Sequence, residues 1–403
     1  MNRREVCKSL ALGALAGPVE GFARAQPPRE KAVRPHGRGI PVFNRIVEDV
    51  MAKHGLVGAT MAVAREGRLV LAEGYGLANL ETKAPVLPRT LFSVASVSKA
   101  ISAVAALKLV ERGKVALGAR LIDVLDDVKP RGGERIIDPR FREITVERLL
   151  HHSSGLPRDR LRKPGDVPAA DDQGEHDSIV SDYRIAMGRR LEFDPGSDHR
   201  YSNLGFLFVR LVIEKASGLP YQEYVRDQVL KPMGISRMVL ERPEPIKGET
   251  GRFIAGPNGV RAAAHVPHNW LATAADMTRF LTALTGARGK RFLTPRTFHE
   301  MVALPPPPIQ PNRDGAHVGL GWDAVRRVGE RYQFSKNGGK TGVSAWLEHL
   351  PSGVDWAFML NTTPPKDADE KTSDPAREII GRMHEAIEKH KEWPEVDLFD
   401  RIP

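Results

Sequence analysis

Ser96 and Lys99 are the first residues in this 403-residue chain whose types and spacing could do chemistry. From Ser96 onward the sequence is Ala-rich, with apolar residues at helical intervals as far as Glu111-Arg112-Gly113, which predicts a helix from Ser96 to Arg112. Residues three apart on a helix share a face, so the Lys99 ammonium can reach back to Ser96 Oγ. A serine hydroxyl is a poor nucleophile until a base takes its proton, and a desolvated, neutral lysine can be that base. A capping serine followed by a surface lysine reads identically. The pair gains weight only from partners.

Two further groups supply them. Tyr201-Ser202-Asn203 follows the turn signal Phe193-Asp194-Pro195-Gly196 and precedes an apolar run from Leu204 to Ile213. A tyrosine hydroxyl can pass a proton to a leaving group, and an asparagine amide can hold both a substrate carbonyl and a lysine. Lys336-Asn337-Gly338-Gly339 follows the strand-like Arg331-Tyr332-Gln333-Phe334-Ser335. Its glycines would let a substrate backbone approach a strand edge. Its lysine could hold a carboxylate or tune Lys99. Taken singly, a loop tyrosine and an exposed turn lysine account for these residues equally well.

Together, these motifs resemble those of the serine β-lactamase and penicillin-binding superfamily, with its Ser-x-x-Lys, Tyr-x-Asn and Lys-Thr-Gly elements. The tyrosine resembles the branch of class C β-lactamases, D-Ala-D-Ala carboxypeptidases and family VIII esterases, and not class A. The resemblance runs from about Phe43 to Asn361. It takes in Leu149-Leu150-His151-His152-Ser153-Ser154-Gly155-Leu156-Pro157, the stretch from Phe193 to Tyr201, Glu214-Lys215-Ala216-Ser217-Gly218, Lys231-Pro232-Met233-Gly234 and Gly319-Leu320-Gly321-Trp322. It implies an α+β fold of the β-lactamase/transpeptidase type, an antiparallel sheet flanked by helices with a mainly helical domain inserted.

The resemblance also implies roles. Ser96 would be the nucleophile and Lys99 the base. Tyr201 would be the proton shuttle, with Asn203, Lys336, Asn337, Gly338 and Gly339 holding substrate. Backbone N–H groups of Ser96 and Gly339 would form the oxyanion hole. No metal or organic cofactor is implied. The expected activity is acyl-enzyme transfer on a carboxylate-bearing amide or ester, DD-peptidase or β-lactamase-like, with a carboxylesterase as the alternative. A penicillin-binding sensor or non-catalytic scaffold is the alternative of another class. The expected partner is a small-molecule or peptide acyl donor, peptidoglycan among them, for a monomer that binds no nucleic acid.

One departure concerns the third motif, because a literal Lys340-Thr341-Gly342 lies four residues after Lys336. Val343 to Leu350 alternates as a strand and Pro351-Ser352-Gly353 turns it. Lys336 is taken as the motif lysine because it leaves room for Gly338, Gly339 and Gly342 in the preceding turn. Asn337 then replaces the family's Thr or Ser hydroxyl with an amide, which puts efficient β-lactam turnover in doubt.

Competing motifs fail. Gly339-Lys340-Thr341 lacks the first glycine of a phosphate-binding loop, since position 334 is Phe334. Gly342-Val343-Ser344-Ala345-Trp346 misses the last glycine of a nucleophile elbow. The side chains of His151-His152 would point to different sides and His265-Val266-Pro267-His268 is interrupted by Pro267, so neither resembles a zinc pair and both read as satisfied structural histidines. The run Arg158-Asp159-Arg160-Leu161-Arg162-Lys163 reads as a solvated loop face, without the interleaved aromatics of a nucleic-acid groove.

The elements that must position these residues follow from pattern. A chain that is 41% hydrophobic can bury a large core, and its net charge of +10 bears on solubility and surface affinity more than on fold. Residues 1–25 resemble a twin-arginine signal, with Arg3-Arg4, an apolar stretch from Leu10 to Ala16 and Ala23-Arg24-Ala25 before Gln26, so export to the periplasm or beyond is expected. The single cysteine, Cys7, lies inside that signal. Residues 26–38 read as a linker. Residues 39–90 and 291–403 read as a discontinuous sheet domain, and 91–290 as the mainly helical domain carrying Ser96. Helices are expected at Phe43 to Met51, Thr273 to Leu284 and Asp374 to Lys391. A hairpin is expected about Glu66-Gly67, strands from about Tyr332 to Leu360, and a lid loop from Lys163 to His176.

Overall fold

The computed structural model describes residues 39–130, 135–161, 175–242, 244, 246–256, 259–262, 269–364 and 374–402. The signal and linker segments lie outside the described residues, as does the expected lid apart from its last two positions. His265, Val266, Pro267 and His268 lie outside them too.

The frame is a seven-stranded antiparallel sheet in the order β2-β1-β12-β11-β10-β9-β8. Its first hairpin joins β1 (Gly58–Arg65) to β2 (Arg68–Gly76). Glu66 and Gly67 both take positive φ, 49° and 82°, the backbone that a two-residue turn needs to match the strand twist. The far strands are β8 (His317–Gly319), β9 (Trp322–Val328), β10 (Arg331–Lys340), β11 (Val343–Leu350) and β12 (Val354–Leu360). First and last strands meet as expected: β1 pairs with β12, Ala59 opposite Leu360 and Arg65 opposite Val354.

Both faces of the central strands are covered. Ala59, Met61 and Val63 of β1 join a core with α1 (Pro41–His54) and α10 (Pro375–Lys389), while Ala62 and Ala64 face the other way into the main core. Covered on both sides, β1 loses the apolar–polar alternation of a half-exposed strand. On the second face lies α8 (Ala274–Thr285), opened by a capping box between Thr273 and Asp276. Thr278 Oγ1 of that helix donates to Ala62 O at 3.4 Å.

The remaining helices build the lobe beside the sheet. They are α2 (Ser98–Glu111), α3 (Leu121–Val124), α4 (Val146–Leu150), α5 (Glu175–Met187), α6 (Asn203–Ser217), α7 (Tyr221–Val225) and α9 (Pro295–Val302). Every residue of α2 from Ala100 to Leu107 except its flanks is apolar or small and buried, the signature of a helix covered all round. Two small sheets bridge lobe and frame: β3 (Phe92–Ser93) and β4 (Val239–Leu240) flank β7 (Trp270–Ala272), while β5 (Phe253–Gly256) lies between β6 (Gly259–Ala262) and β13 (Thr362–Thr363). Among the described residues no helix is long and apolar enough to cross a membrane.

Three local expectations are corrected. The predicted helix does not begin at Ser96: Ala95–Val97 form a 3-10 turn and α2 starts at Ser98, so Ser96 stands on a sharper turn. Strands return before Tyr332, because β8 and β9 precede it; Arg326 and Arg327, adjacent on an exposed edge, hide the alternation. Gly338 and Gly339 lie inside β10 and not in the turn, which consists of Thr341 and Gly342 alone, with Lys340 opposite Val343.

Candidate active site

The site forms where the lobe meets β10. β3 carries the chain to Val94, whose N–H donates to Trp270 O at 3.0 Å, and the 3-10 turn follows. Ala95 there takes φ of 42°, a left-handed conformation that a residue with a Cβ adopts only where its surroundings impose it. Ser98 Oγ accepts from Trp270 N at 3.0 Å and pins the other side of the turn. Ser96 is held between these anchors.

Lys99, one turn into α2, directs Nζ to Ser96 Oγ at 3.3 Å and to Asn203 Oδ1 at 2.8 Å. Among the described residues no carboxylate bonds to it. Burial, followed by the nearby Lys336 ammonium, brings its pKa down to about 7, with Asp323 and Asp159 working the other way. A substantial fraction of Lys99 is therefore neutral at physiological pH.

Tyr201 OH donates to Ser96 Oγ at 2.7 Å. Burial pushes its phenol up to about 12 even though the bond to Ser96 pulls down, so the hydroxyl keeps its proton through neutral pH. Three cations surround its ring: Lys99 Nζ at 5.0 Å, Lys336 Nζ at 5.2 Å and Arg158 Cζ at 5.7 Å from the centroid.

The start of α6 fixes Asn203. Ser202 caps the helix by accepting from Gly205 N at 2.9 Å and donates in turn to Pro157 O at 2.7 Å. Asn203 N donates to Arg158 O at 2.6 Å, and its Nδ2 to Asp159 Oδ1 at 2.7 Å. The stretch from Ser153 to Arg160 is thus stitched to the site. It is not merely a solvated face, since Arg160 also pairs with the fully buried Asp182 at 2.6 Å.

β10 supplies the opposite wall. Lys336 has a fully buried side chain, and its Nζ donates to Asp323 Oδ1, on β9. Asn337 N donates to the other oxygen, Asp323 Oδ2, at 3.0 Å. The pairing of β10 with β9 ends at Ser335 opposite Ala324, and the edge beyond is open. Two residues along a strand, N–H groups point to the same edge, so Gly339 N–H shares the edge used by Asn337 N–H. Gly338 faces the turn, where a Cβ would lie 3.0 Å from Ser96 N, whereas Gly339 would meet nothing within 4 Å.

All eight residues singled out in the sequence therefore converge. Lys340 does not join them: its Nζ bonds both oxygens of Glu241 at 2.8 Å, in a buried group with Arg252 and Glu249. Four neighbours carried no signal of their own. Asp323 directly follows the Gly319–Trp322 motif, and Arg158 and Asp159 follow Leu156-Pro157; proximity to a motif was the available hint. The fourth is His152. Its ring lies 4.4 Å from the Tyr201 ring, and Nδ1 accepts from Ser202 N at 3.1 Å. It is not fully satisfied as expected, because Nε2 has no partner among the described residues, nor does Nε2 of His151. Burial holds both imidazoles below the ordinary histidine range, and they stay neutral.

The chain is similar to several known proteins. The profile of the family described as Beta-lactamase matches residues 43–378. Esterase EstB of Burkholderia gladioli is 32% identical over 242 residues, 55% of this chain and 60% of that protein. Protein flp of Staphylococcus aureus is 27% identical over 192 residues, 47% of this chain and 36% of that one. The matches thus span about 60% and about a third of these relatives' lengths. In fold, the D-amino acid amidase of Ochrobactrum anthropi superposes with a TM-score of 0.69 over 87% of this chain and 99% of that one, at 22% identity. The seven-stranded frame, the Ser-x-x-Lys turn and the profile match lead to one conclusion: the chain belongs to the Beta-lactamase family.

Proposed function

We propose that the protein hydrolyses a small ester or amide through an acyl-enzyme on Ser96. The observation that carries this is the contact of Ser96 Oγ with two groups of complementary protonation, Lys99 at 3.3 Å and Tyr201 at 2.7 Å. Neutral Lys99 takes the Ser96 proton as Oγ attacks the carbonyl. The oxyanion that forms is held by N–H groups of Ser96 and Gly339. Tyr201 gives its proton to the departing oxygen or nitrogen and regains one from the Lys99 ammonium, so protons balance over the acylation half. Water then attacks the ester on Ser96, with Tyr201 and Lys99 passing its proton back to Oγ. Asn203 holds Lys99 on one side and is placed to hold the substrate carbonyl.

A non-catalytic scaffold would have no use for a lysine brought to about 7 beside a serine on a strained turn. Export through the twin-arginine-like segment belongs to the same reading, which places the acyl donor outside the cytoplasm. The test is covalent capture. A fluorophosphonate should add one adduct, found by peptide mass spectrometry on Ser96 and absent from Ser96→Ala. An adduct on Ser93, Ser98 or Ser202 would overturn the assignment.

The expectation of a carboxylate on the donor rested on Lys336 as a cation, and that ammonium is paired with Asp323, which weakens its support.

A further inference from the structure

Lys336 is the cation on the strand wall of the cleft, and a protein carboxylate already holds it. Asp323 accepts from Lys336 Nζ through one oxygen and from Asn337 N through the other, so the ammonium and the Asn337 N–H are both taken. Lys336 is wholly buried, while the Asp323 side chain keeps 23% of its surface exposed. What the wall offers an incoming molecule is therefore the outer side of a carboxylate, with the ammonium behind it. A second carboxylate, Asp159, stands at the opposite wall on Asn203.

An anion entering here meets repulsion from Asp323 and Asp159. To reach Lys336 it must first break a charge-assisted pair that is shielded from water. A neutral or cationic group loses nothing.

We propose that Asp323 determines the charge of the substrate: by occupying Lys336 it selects neutral and cationic esters or amides and rejects donors with a carboxylate on the leaving-group side. This rests on the acyl-enzyme reading above and narrows its substrate class. Arg158, exposed over the Tyr201 ring, is a cation that could still receive an anion, although it leans toward Asp159 at 3.8 Å.

The test uses one acyl group and three leaving groups: 3-carboxyphenyl acetate, phenyl acetate and 3-(trimethylammonio)phenyl acetate. Each kcat/KM is divided by that ester's own rate with hydroxide, which removes intrinsic reactivity. The wild-type protein should prefer the neutral and cationic esters over the carboxylate by about 10-fold or more, the weight of one charge-assisted contact. Asp323→Asn should erase or invert that order by freeing Lys336. It should also move the acidic limb of kcat/KM below pH 7, since Asp323 opposes Lys336 in setting Lys99. A purely structural aspartate would change neither ratio nor limb.

A wild-type preference for the carboxylate ester overturns the inference without any variant, so a poorly folded Asp323→Asn does not shelter it. An unchanged order in a folded Asp323→Asn overturns it as well and points to Arg158. Ser96→Ala separates the two readings. If turnover of all three esters survives that change, the acyl-enzyme mechanism fails; if it vanishes while the charge order is wrong, only the role of Asp323 fails.

Discussion

Two buried polar clusters lie on either side of β10 and β11, and they are built oppositely. Around Glu348, on the face away from the cleft, every demand is met: the carboxylate accepts from Gln333 at 2.8 Å, Trp346 at 3.1 Å, Trp356 at 3.0 Å and His384 at 2.7 Å. Around Ser96 the demands are left open. Among the described residues Lys99 has no carboxylate bonded to it, Tyr201 holds its proton far into alkaline pH, and Ala95 is strained. The first cluster joins α10 to the sheet. The second brings Lys99 toward neutrality at a pH where a lysine in water is charged, beside a tyrosine that keeps its proton, which suits acyl transfer. A saturated network resists change; an unsaturated one is ready to exchange protons.

The sharpest way to break this contrast is Ser96→Ala. Turnover of an activated ester should fall by ~10⁴-fold or more with the melting temperature kept. Loss of both would mean that Ser96 is structural. Next, Lys99→Ala should lower kcat by about 10²–10⁴-fold. In the wild type the active form is neutral Lys99, so kcat/KM should rise with pH through about 7 and stay level until Tyr201 begins to ionise near 12. A flat profile from pH 6 to 9 with chemistry rate-limiting would remove the neutral-lysine base.

The other cluster should respond in stability alone. Glu348→Ala strands four donors, of which Trp356 Nε1 is buried, and should destabilise the fold by about 1–3 kcal/mol in denaturant titrations. kcat should hold wherever the variant is folded; a parallel fall in kcat would show the two clusters to be coupled. The smallest effect belongs to His384, whose pKa is raised, chiefly by its bond to Glu348. A raised folded pKa stabilises fully below the unfolded value, about 6.5, and that contribution fades as pH climbs through the folded value. The stability gap between wild type and His384→Ala should therefore shrink with rising pH, from at most ~1 kcal/mol because solvent screens the pair. A gap that widens with pH would contradict the assignment.

The sequence exposed the catalytic skeleton better than its surroundings. Ser96-x-x-Lys99, Tyr201-x-Asn203 and Lys336 to Gly339 are local patterns whose spacing reflects a turn, a helix start and a strand, and all meet in the cleft. The β1–β2 hairpin and the capping box of α8 were legible for the same reason, since backbone conformation at Glu66-Gly67 and at Thr273 follows from nearby residues. Asp323 was not: β9 and β10 form a hairpin about Gly329-Glu330, but the adjacent Arg326 and Arg327 hid β9 as a strand, and with it the position of Asp323 beside Lys336. Neither was the left-handed Ala95, imposed by what packs around it. The two lysines four apart are the instructive case. Both fit the motif by composition; the pattern pointed to Lys336 through glycines expected in a turn that lie inside β10, and tertiary placement puts Lys336 on Tyr201 and Lys340 on Glu241.

Gly338 carries a mechanical consequence. A Cβ at this position would stand 2.4 Å from Val94 O and 3.0 Å from Ser96 N, so strand and nucleophile turn touch with no spare room. These two surfaces come from residues more than two hundred positions apart, and the cleft exists only once they are seated. Catalysis therefore reports assembly. A parting of a few tenths of an ångström, too small to disturb any hydrogen bond within the sheet, would pull the N–H of Ser96 away from that of Gly339. On the proposed mechanism, such a protein should lose activity on warming while its circular dichroism still looks native.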